Sequence, residues 1–598
     1  MLNRRQMLAA SAAGAAFAAA PALAQPTTED ARLDVLLTRQ FEEGLGRSPQ
    51  GVTSLGLDVG ARAGQRAELN DRSPAAVAQQ RAINARNLEQ LKTIRADQLS
   101  EEARLSYDIA LFQREIAAAE ARFPWHTTEG WRRTPYVISQ IGGVYSQVPD
   151  FLDSIHPVNT REDADAYLAR LAAFPKALDD DTERSRAHAE MGVVAPDFIL
   201  DKTLLQLRAL RDGASEEKAI VRSLDRRARD KGLGEDWGAR AKTLFDGPVR
   251  EALSRQIAEI ERQRGLTSHE AGLGRVPDNQ AYYALNLKAY TTTEYSADEI
   301  HRIGLEQVRD LQGQIDGLLK SEGYTQGSVA ERLAALRKEP RFVWPNTDAG
   351  RAELLAYVNA EMAKIRALMP QVFPRIPKTD FVVRRVPPAT EAGAPGGYAQ
   401  GGSLDGSRPG AYYINLRDTA EWPRWTLKTL TYHEAAPGHL FQGALALEQG
   451  ELPLYRRAGG GFSAYSEGWG LYSERLADEL GVYEGDPFGR IGYLESFLFR
   501  ANRLVVDTGL HSKGWSREQA IAWFRDNLGD PNETEVDRYC VAPGQACSYK
   551  LGEIFITNLR EEMKRRPGFD LKRFHAAVID GGNIPLTVLE RRVKRLLA

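Results

Sequence analysis

Thr431-Tyr-His-Glu-Ala-Ala-Pro-Gly-His439 supplies two imidazoles with a carboxylate beside the first, and Ser466-Glu-Gly-Trp-Gly-Leu-Tyr-Ser-Glu474 supplies two more carboxylates shortly afterwards. Imidazole and carboxylate are the donors of catalytic zinc sites, which use three protein ligands and keep one position open. The run from Trp422 to Leu447 has helical periodicity, with Leu427 and Leu430 leading into His433. A zinc-peptidase centre is the reading against which the rest of the chain is weighed.

When two histidines lie four residues apart, one helical turn carries both to the same face, and a glutamate after the first sits beside the metal. Here Pro437 occupies the fourth position and the second histidine, His439, follows the first by six residues. On an unbroken helix His439 would be rotated about 240° from His433, so the two could not share one ion. Proline removes a helical hydrogen bond and glycine accepts unusual dihedrals. Pro437-Gly438 therefore predicts a break that swings His439 back towards a metal held with His433, while Glu434 serves as the catalytic base.

Glu467, Glu474 and Asp478 fall within a narrow arc of one helix. A solvated acidic stripe would have polar neighbours, whereas Gly468, Trp469, Gly470, Leu471 and Tyr472 are small or apolar. Buried carboxylates need a cation or several donors. Glu467 is thus expected as third metal ligand, and Glu474 as the group that orients a ligating histidine. The following helix carries Arg500, Arg503, Asp507 and His511 on one face amid Phe499, Leu504, Val505 and Leu510. That pattern predicts a buried polar network, with Arg503–Asp507 ion pairing as its simplest form and His511 free to reach substrate. Near Pro543-Gly544, Tyr549 is the preferred donor to a developing oxyanion, with Tyr539 second.

Upstream, Asp380-Phe-Val-Val-Arg-Arg-Val386 is β-rich, and Gly396–Gly402 and Gly410–Leu416 read as two more strands joined by Asp405-Gly-Ser-Arg-Pro-Gly410. A small sheet so placed offers an edge strand to an extended peptide, although a purely structural hairpin needs only the same residues. Before it, helical periodicity dominates. Ser73 caps a helix with Pro74 in its first position, Leu99-Ser-Glu-Glu opens another, and 161–213, 216–232, 236–264 and 276–338 continue the pattern. Met369-Pro370 and later prolines mark the change of texture. Tyr136 is a weak cleft candidate in a segment rich in glycine and aromatics.

Residues 1–24, with Arg4-Arg5, an Ala-rich run and Ala22-Leu-Ala24, have the layout of a cleavable export signal of twin-arginine type, cut near Ala24. The mature chain is expected in the periplasm or outside the cell. Cys540 and Cys547 form either a short-loop disulfide or two separate buried thiols. A net charge of −3 with 27% charged residues excludes a basic field for nucleic acid or anionic membrane, and no segment after the signal is apolar for long enough to span a bilayer.

The motifs around His433, Glu467, Arg503 to His511 and Pro543 to Gly552 together resemble the bacterial family catalogued as domain of unknown function 885. That family is itself similar to helical gluzincin peptidases of the thermostable carboxypeptidase and thimet oligopeptidase types. The resemblance implies zinc on His433, His439 and Glu467, catalysis by Glu434, and an oxyanion-stabilising role for Tyr549. The expectation is a mainly α, multi-helix zincin-like fold with a small sheet beside a deep cleft. Residues 25–368 would form the cleft walls and 369–598 the catalytic region, or 25–598 one continuous domain. The expected activity is zinc-dependent cleavage of short peptides. A metal-free peptide-binding protein and a metallohydrolase of a non-peptide amide or ester are the alternatives.

Overall fold

Helix starts are written into the sequence as side-chain caps, and the computed structural model places them where the residue chemistry demands. It describes residues 28–598 except 235, 387, 389–390, 392–395, 405 and 407. The expected export signal, and residues 405 and 407 of the expected turn, lie outside the described residues. Ser73 accepts from the Ala76 amide ahead of the helix Pro74–Lys92, and Ser100 from Ala103 ahead of Glu101–Glu120. Thr160 and Asp163 form a reciprocal capping box at the start of the 30-residue helix Arg161–Glu190. The described residues are mainly helical, with two small sheets among them.

Where the expected helices were longest, the structure divides them. The 161–213 stretch becomes Arg161–Glu190 and Asp197–Arg211, and 276–338 becomes Asn279–Thr291, Ala297–Ser321 and Val329–Leu336. Met369-Pro370 does not interrupt its helix, which runs on as Asp348–Val372. The ring costs that helix a bond to the preceding turn, and the burial of Val358, Met362, Ile365 and Met369 along the helix outweighs it. This helix crosses the boundary between the two expected regions, and one apolar core extends from Leu105 to Val593 through both.

Strands β1 (Thr127–Glu129) and β2 (Arg132–Thr134) form an antiparallel hairpin. Strands β3 (Phe381–Arg385), β4 (Gly397–Gln400) and β5 (Gly410–Ile414) form the second sheet, in the order β3-β5-β4. β5 is fully buried in the middle, parallel to β3 and antiparallel to β4, with Tyr398 opposite Tyr413. Among the described residues no strand pairs with the outer edge of β4. A Cβ built on Gly397 would lie 3.2 Å from Leu430 Cδ2, which sets this strand against the helix bearing His433.

Two helix pairs build the scaffold around that helix. Ala297–Ser321 packs along Pro487–Ser512, and Ser463–Glu479 along Cys547–Lys564. The second pair is unusually close: a Cβ on Gly468 would meet the Gly552 backbone at 2.5 Å. That contact aligns the helix carrying Glu467 and Glu474 with the helix carrying Tyr549. Leu427, Leu471, Leu504 and Ile556 are fully buried around them, and each such burial contributes roughly 1.5–3 kcal/mol.

Candidate metal centre

The first helix, Arg424–Glu434, ends one residue after His433, and a second, His439–Leu447, begins at the other histidine. The intervening turn contains a cis Ala436–Pro437 bond, and at Gly438 the chain doubles back on itself. A Cβ there would lie 1.7 Å from the His433 carbonyl oxygen, so only glycine fits. The indole Nε1–H of Trp469 donates to the Pro437 carbonyl at 2.8 Å, tying the turn to the carboxylate helix Ser463–Glu479. The predicted break thus exists, and it returns His439 to His433 with ring centroids 4.7 Å apart and nearly perpendicular.

Glu467 Oε2 lies 3.2 Å from His439 Nε2 and 3.6 Å from His433 Nε2. One donor atom from each of the three residues falls within 4.8 Å of the others. Ligands about 2.0–2.1 Å from a tetrahedral zinc stand about 3.3 Å apart, so these spacings fit such an ion. On the far side of the ring, His433 Nδ1 donates to Glu474 Oε1 at 2.8 Å. That bond fixes the tautomer and directs the Nε2 lone pair towards the Glu467 carboxylate. Two lone pairs facing each other repel, so the arrangement requires a cation between them, either a proton or a metal ion. Burial disfavours charge on His433, but Glu467 and Glu474 outweigh it and raise its pKa to about 9. Burial likewise opposes charge on Glu467, yet His439 and His433 hold that carboxyl far below its ordinary range.

The imidazole reaches this position through a gap in the neighbouring helix. A Cβ on Gly470 would lie 2.7 Å from His433 Cε1. Glu434 is 8% exposed, and its carboxylate makes no hydrogen bond or ion pair with any described residue. Tyr549 stacks parallel to His433, with centroids 6.4 Å apart, and its other neighbour is the Arg503 guanidinium, 4.3 Å from the ring centre. Its half-buried hydroxyl makes no hydrogen bond to a described residue. Burial and the nearby Glu467 charge both raise its pKa.

Other expected residues lie elsewhere. Asp478 pairs with Arg490 at 3.3 Å rather than facing the histidines. Tyr539 is fully buried: its hydroxyl accepts from Arg503 Nε at 3.1 Å and donates to Glu535 Oε2 at 2.8 Å, so it has no donor to spare for an oxyanion. The expected Arg503–Asp507 pair does not form. Arg503 turns to Glu535 at 2.9 Å, while Asp507 Oδ1 accepts from Tyr283 Oη at 2.6 Å and Gly544 N at 3.0 Å. One helix face borders two different neighbours, and each side chain follows its own. His511 Nε2 donates to the Tyr539 carbonyl at 3.0 Å, and burial lowers the pKa of the ring to about 4. It is a packed core histidine. Tyr136 is buried in the core, and Cys540 and Cys547 are free buried thiols.

Sequence reading missed Glu535, which binds Arg503, Arg538 and Tyr539 together. Its position three and four residues before Arg538 and Tyr539 on one helix was the available signal. Gly470 was also missed, because no periodicity marks the need for a gap.

The family model described as "Bacterial protein of unknown function (DUF885)" matches residues 49–593. The chain belongs to the DUF885 family. Two solved structures, each described as a "putative lipoprotein", share its architecture. That from Colwellia psychrerythraea is 33% identical with a TM-score of 0.90, covering 95% of this chain and 99% of its own. That from Shewanella oneidensis, of unknown function, is 19% identical with a TM-score of 0.68, covering 94% and 99%, and speaks to the fold alone. No curated protein matches the chain. Among the described residues of this DUF885 protein, no helix is long and apolar enough to cross a membrane.

Proposed function

We propose that this DUF885 chain is a zinc-dependent hydrolase of short peptides, exported to the periplasm through its twin-arginine signal. The observation that carries the reading is the convergence of His433, His439 and Glu467 at tetrahedral-ligand spacing, with the outer nitrogen of His433 held by the buried Glu474. A histidine whose second nitrogen is fixed by a carboxylate is the usual arrangement at zinc. Zinc held by these three residues supplies a Lewis acid that polarises a carbonyl and acidifies water near neutrality.

Glu434 takes the proton of the attacking water and hands it to the leaving amine, as a carboxylate unpaired among the described residues allows. The Tyr549 hydroxyl donates to the carbonyl oxygen as negative charge develops there. Arg503, itself held by Glu535 and Tyr539, backs the Tyr549 ring and does not touch substrate. The outer edge of β4, unpaired among the described residues, lies beside the histidine helix, where an extended peptide can add as a further strand. A gluzincin-like relationship and a restrictive cleft belong to the same proposal. The "putative lipoprotein" description of the Colwellia psychrerythraea structure supports a location outside the cytoplasm.

The deciding experiment measures metal content and cleavage of a broad peptide library by wild type and Glu434→Gln. A stoichiometric zinc ion with cleavage lowered at least about a hundredfold in the variant is expected. Zinc-loaded wild type as inert as the variant on every peptide would remove the peptidase assignment.

A further inference from the structure

Away from His433, a cavity of about 140 Å³ opens where the N-terminal helices meet the loop ahead of the carboxylate helix. Its polar lining includes Gln40, Asn87, Gln113, Arg114, Arg456 and Asn583. Arg456 is only 7% exposed: Nη1 donates to Ser106 Oγ at 2.8 Å, Nη2 to the Gly581 carbonyl, and Nε has no partner among the described residues. Arg114 donates to the Ala110 carbonyl at 3.1 Å and to Gln40 Oε1, and its Nε is likewise buried without a partner.

Neither guanidinium forms an ion pair with a carboxylate of a described residue, in contrast to Arg72, Arg503 and Arg560, which meet Asp181, Glu535 and Glu479. Burial lowers the pKa of both Arg114 and Arg456 to about 10, with the more distant Glu102 only partly offsetting it at Arg456. Two desolvated cations lining one cavity are costly unless an anion joins them.

We propose that this cavity binds a compact oxyanion, a carboxylate or a phosphate, between the Arg114 and Arg456 guanidiniums. Guanidinium matches such groups through parallel, charge-assisted hydrogen bonds. Asn583 adjoins the same space, accepts from the Phe462 amide at 2.7 Å and donates to Ser466 Oγ at 2.9 Å. Ser466 immediately precedes Glu467, so the anion site abuts the base of the carboxylate helix. The proposal does not depend on metal at His433.

The test is calorimetric titration of the whole mature protein at low ionic strength with sodium phosphate, sodium succinate and glycylglycine, repeated on Arg114→Gln, Arg114→Lys and Arg456→Gln. At least one probe is expected to bind saturably at one site, at least tenfold more weakly in Arg114→Gln and several-fold more weakly in Arg114→Lys, with zinc content unchanged. The probe that binds tells a free phosphate from a small dicarboxylate or a peptide carboxylate. Arg456→Gln also removes bonds to Ser106 and Gly581, so thermal melting accompanies it and the Arg114 variants decide. Absence of saturable binding by all three probes, or affinity unchanged in a folded Arg114 variant, overturns the proposal.

Discussion

His433 Nδ1 and Glu474 Oε1 lie 2.8 Å apart, in a position where the carboxylate is wholly buried. The bond spans two helices and sets which face of the imidazole looks at Glu467. Glu474→Gln keeps the shape but weakens that control, and zinc affinity should fall about 10–100-fold. Glu467→Gln, which removes a ligand, should lose zinc altogether. Competition with a chromogenic chelator measures both, and equal affinities for all three proteins would refute the assignment of roles.

Glu434 has no partner to replace among the described residues, so Glu434→Gln should retain zinc and melt close to wild type. Its peptide turnover should drop by about 10²–10⁴-fold, the usual contribution of a general base. Steady-state kinetics beside a thermal melt gives both numbers.

The two tyrosines should separate cleanly. Tyr549→Phe removes a free hydroxyl near His433, lowering kcat by about 10²-fold with little change in KM or stability. Tyr539→Phe breaks a buried network with Arg503 and Glu535, and should cost about 1–3 kcal/mol in urea unfolding while leaving chemistry largely intact. A reversal of this pattern would exchange their roles.

Two glycines test the shape of the site. Gly470→Ala places a methyl group 2.7 Å from His433 Cε1, and should displace the imidazole and reduce zinc binding in a protein that still folds. Gly438→Ala meets the His433 carbonyl oxygen at 1.7 Å, and should destabilise by about 4 kcal/mol or more, as strain at a unique backbone position does. Soluble yield, circular dichroism and zinc content distinguish the two.

Burial raises the Asp507 carboxyl to about 7, against about 3.9 in an unfolded chain. Between those values the folded protein holds a proton that the unfolded chain has released. Asp507 therefore favours folding below about pH 4, and its contribution falls as pH rises, by at most about 1.4 kcal/mol per unit, until it levels off above about 7. Asp507→Asn keeps an oxygen for Tyr283 and Gly544 but cannot ionise. Wild-type stability minus variant stability, from urea melts, should decline between pH 4 and 7. A difference constant across that window contradicts a buried, proton-holding Asp507.

Much of the secondary structure was legible because caps and apolar spacing act within a few residues. Ser73, Ser100 and the strands beside the motif all declared themselves in this way. Pro370 misled, since the sequence does not say how firmly packing holds the helix that carries it. Arg503 and Asp507 misled for another reason: spacing allows an ion pair, but Glu535 and Tyr283 offered each a better partner from outside its own helix.

The sequence by itself determined the chemical inventory of the centre and the break at Pro437-Gly438, because residue type and backbone restriction are local properties. Only the tertiary structure decided that His439 returns to His433, that Glu467 arrives within ligand spacing of both, and that Tyr549 rather than Tyr539 faces them. Those outcomes depend on how closely separate helices approach. That approach is set by the missing side chains of Gly468, Gly470 and Gly552, whose meaning appears only when the opposing surface is in place.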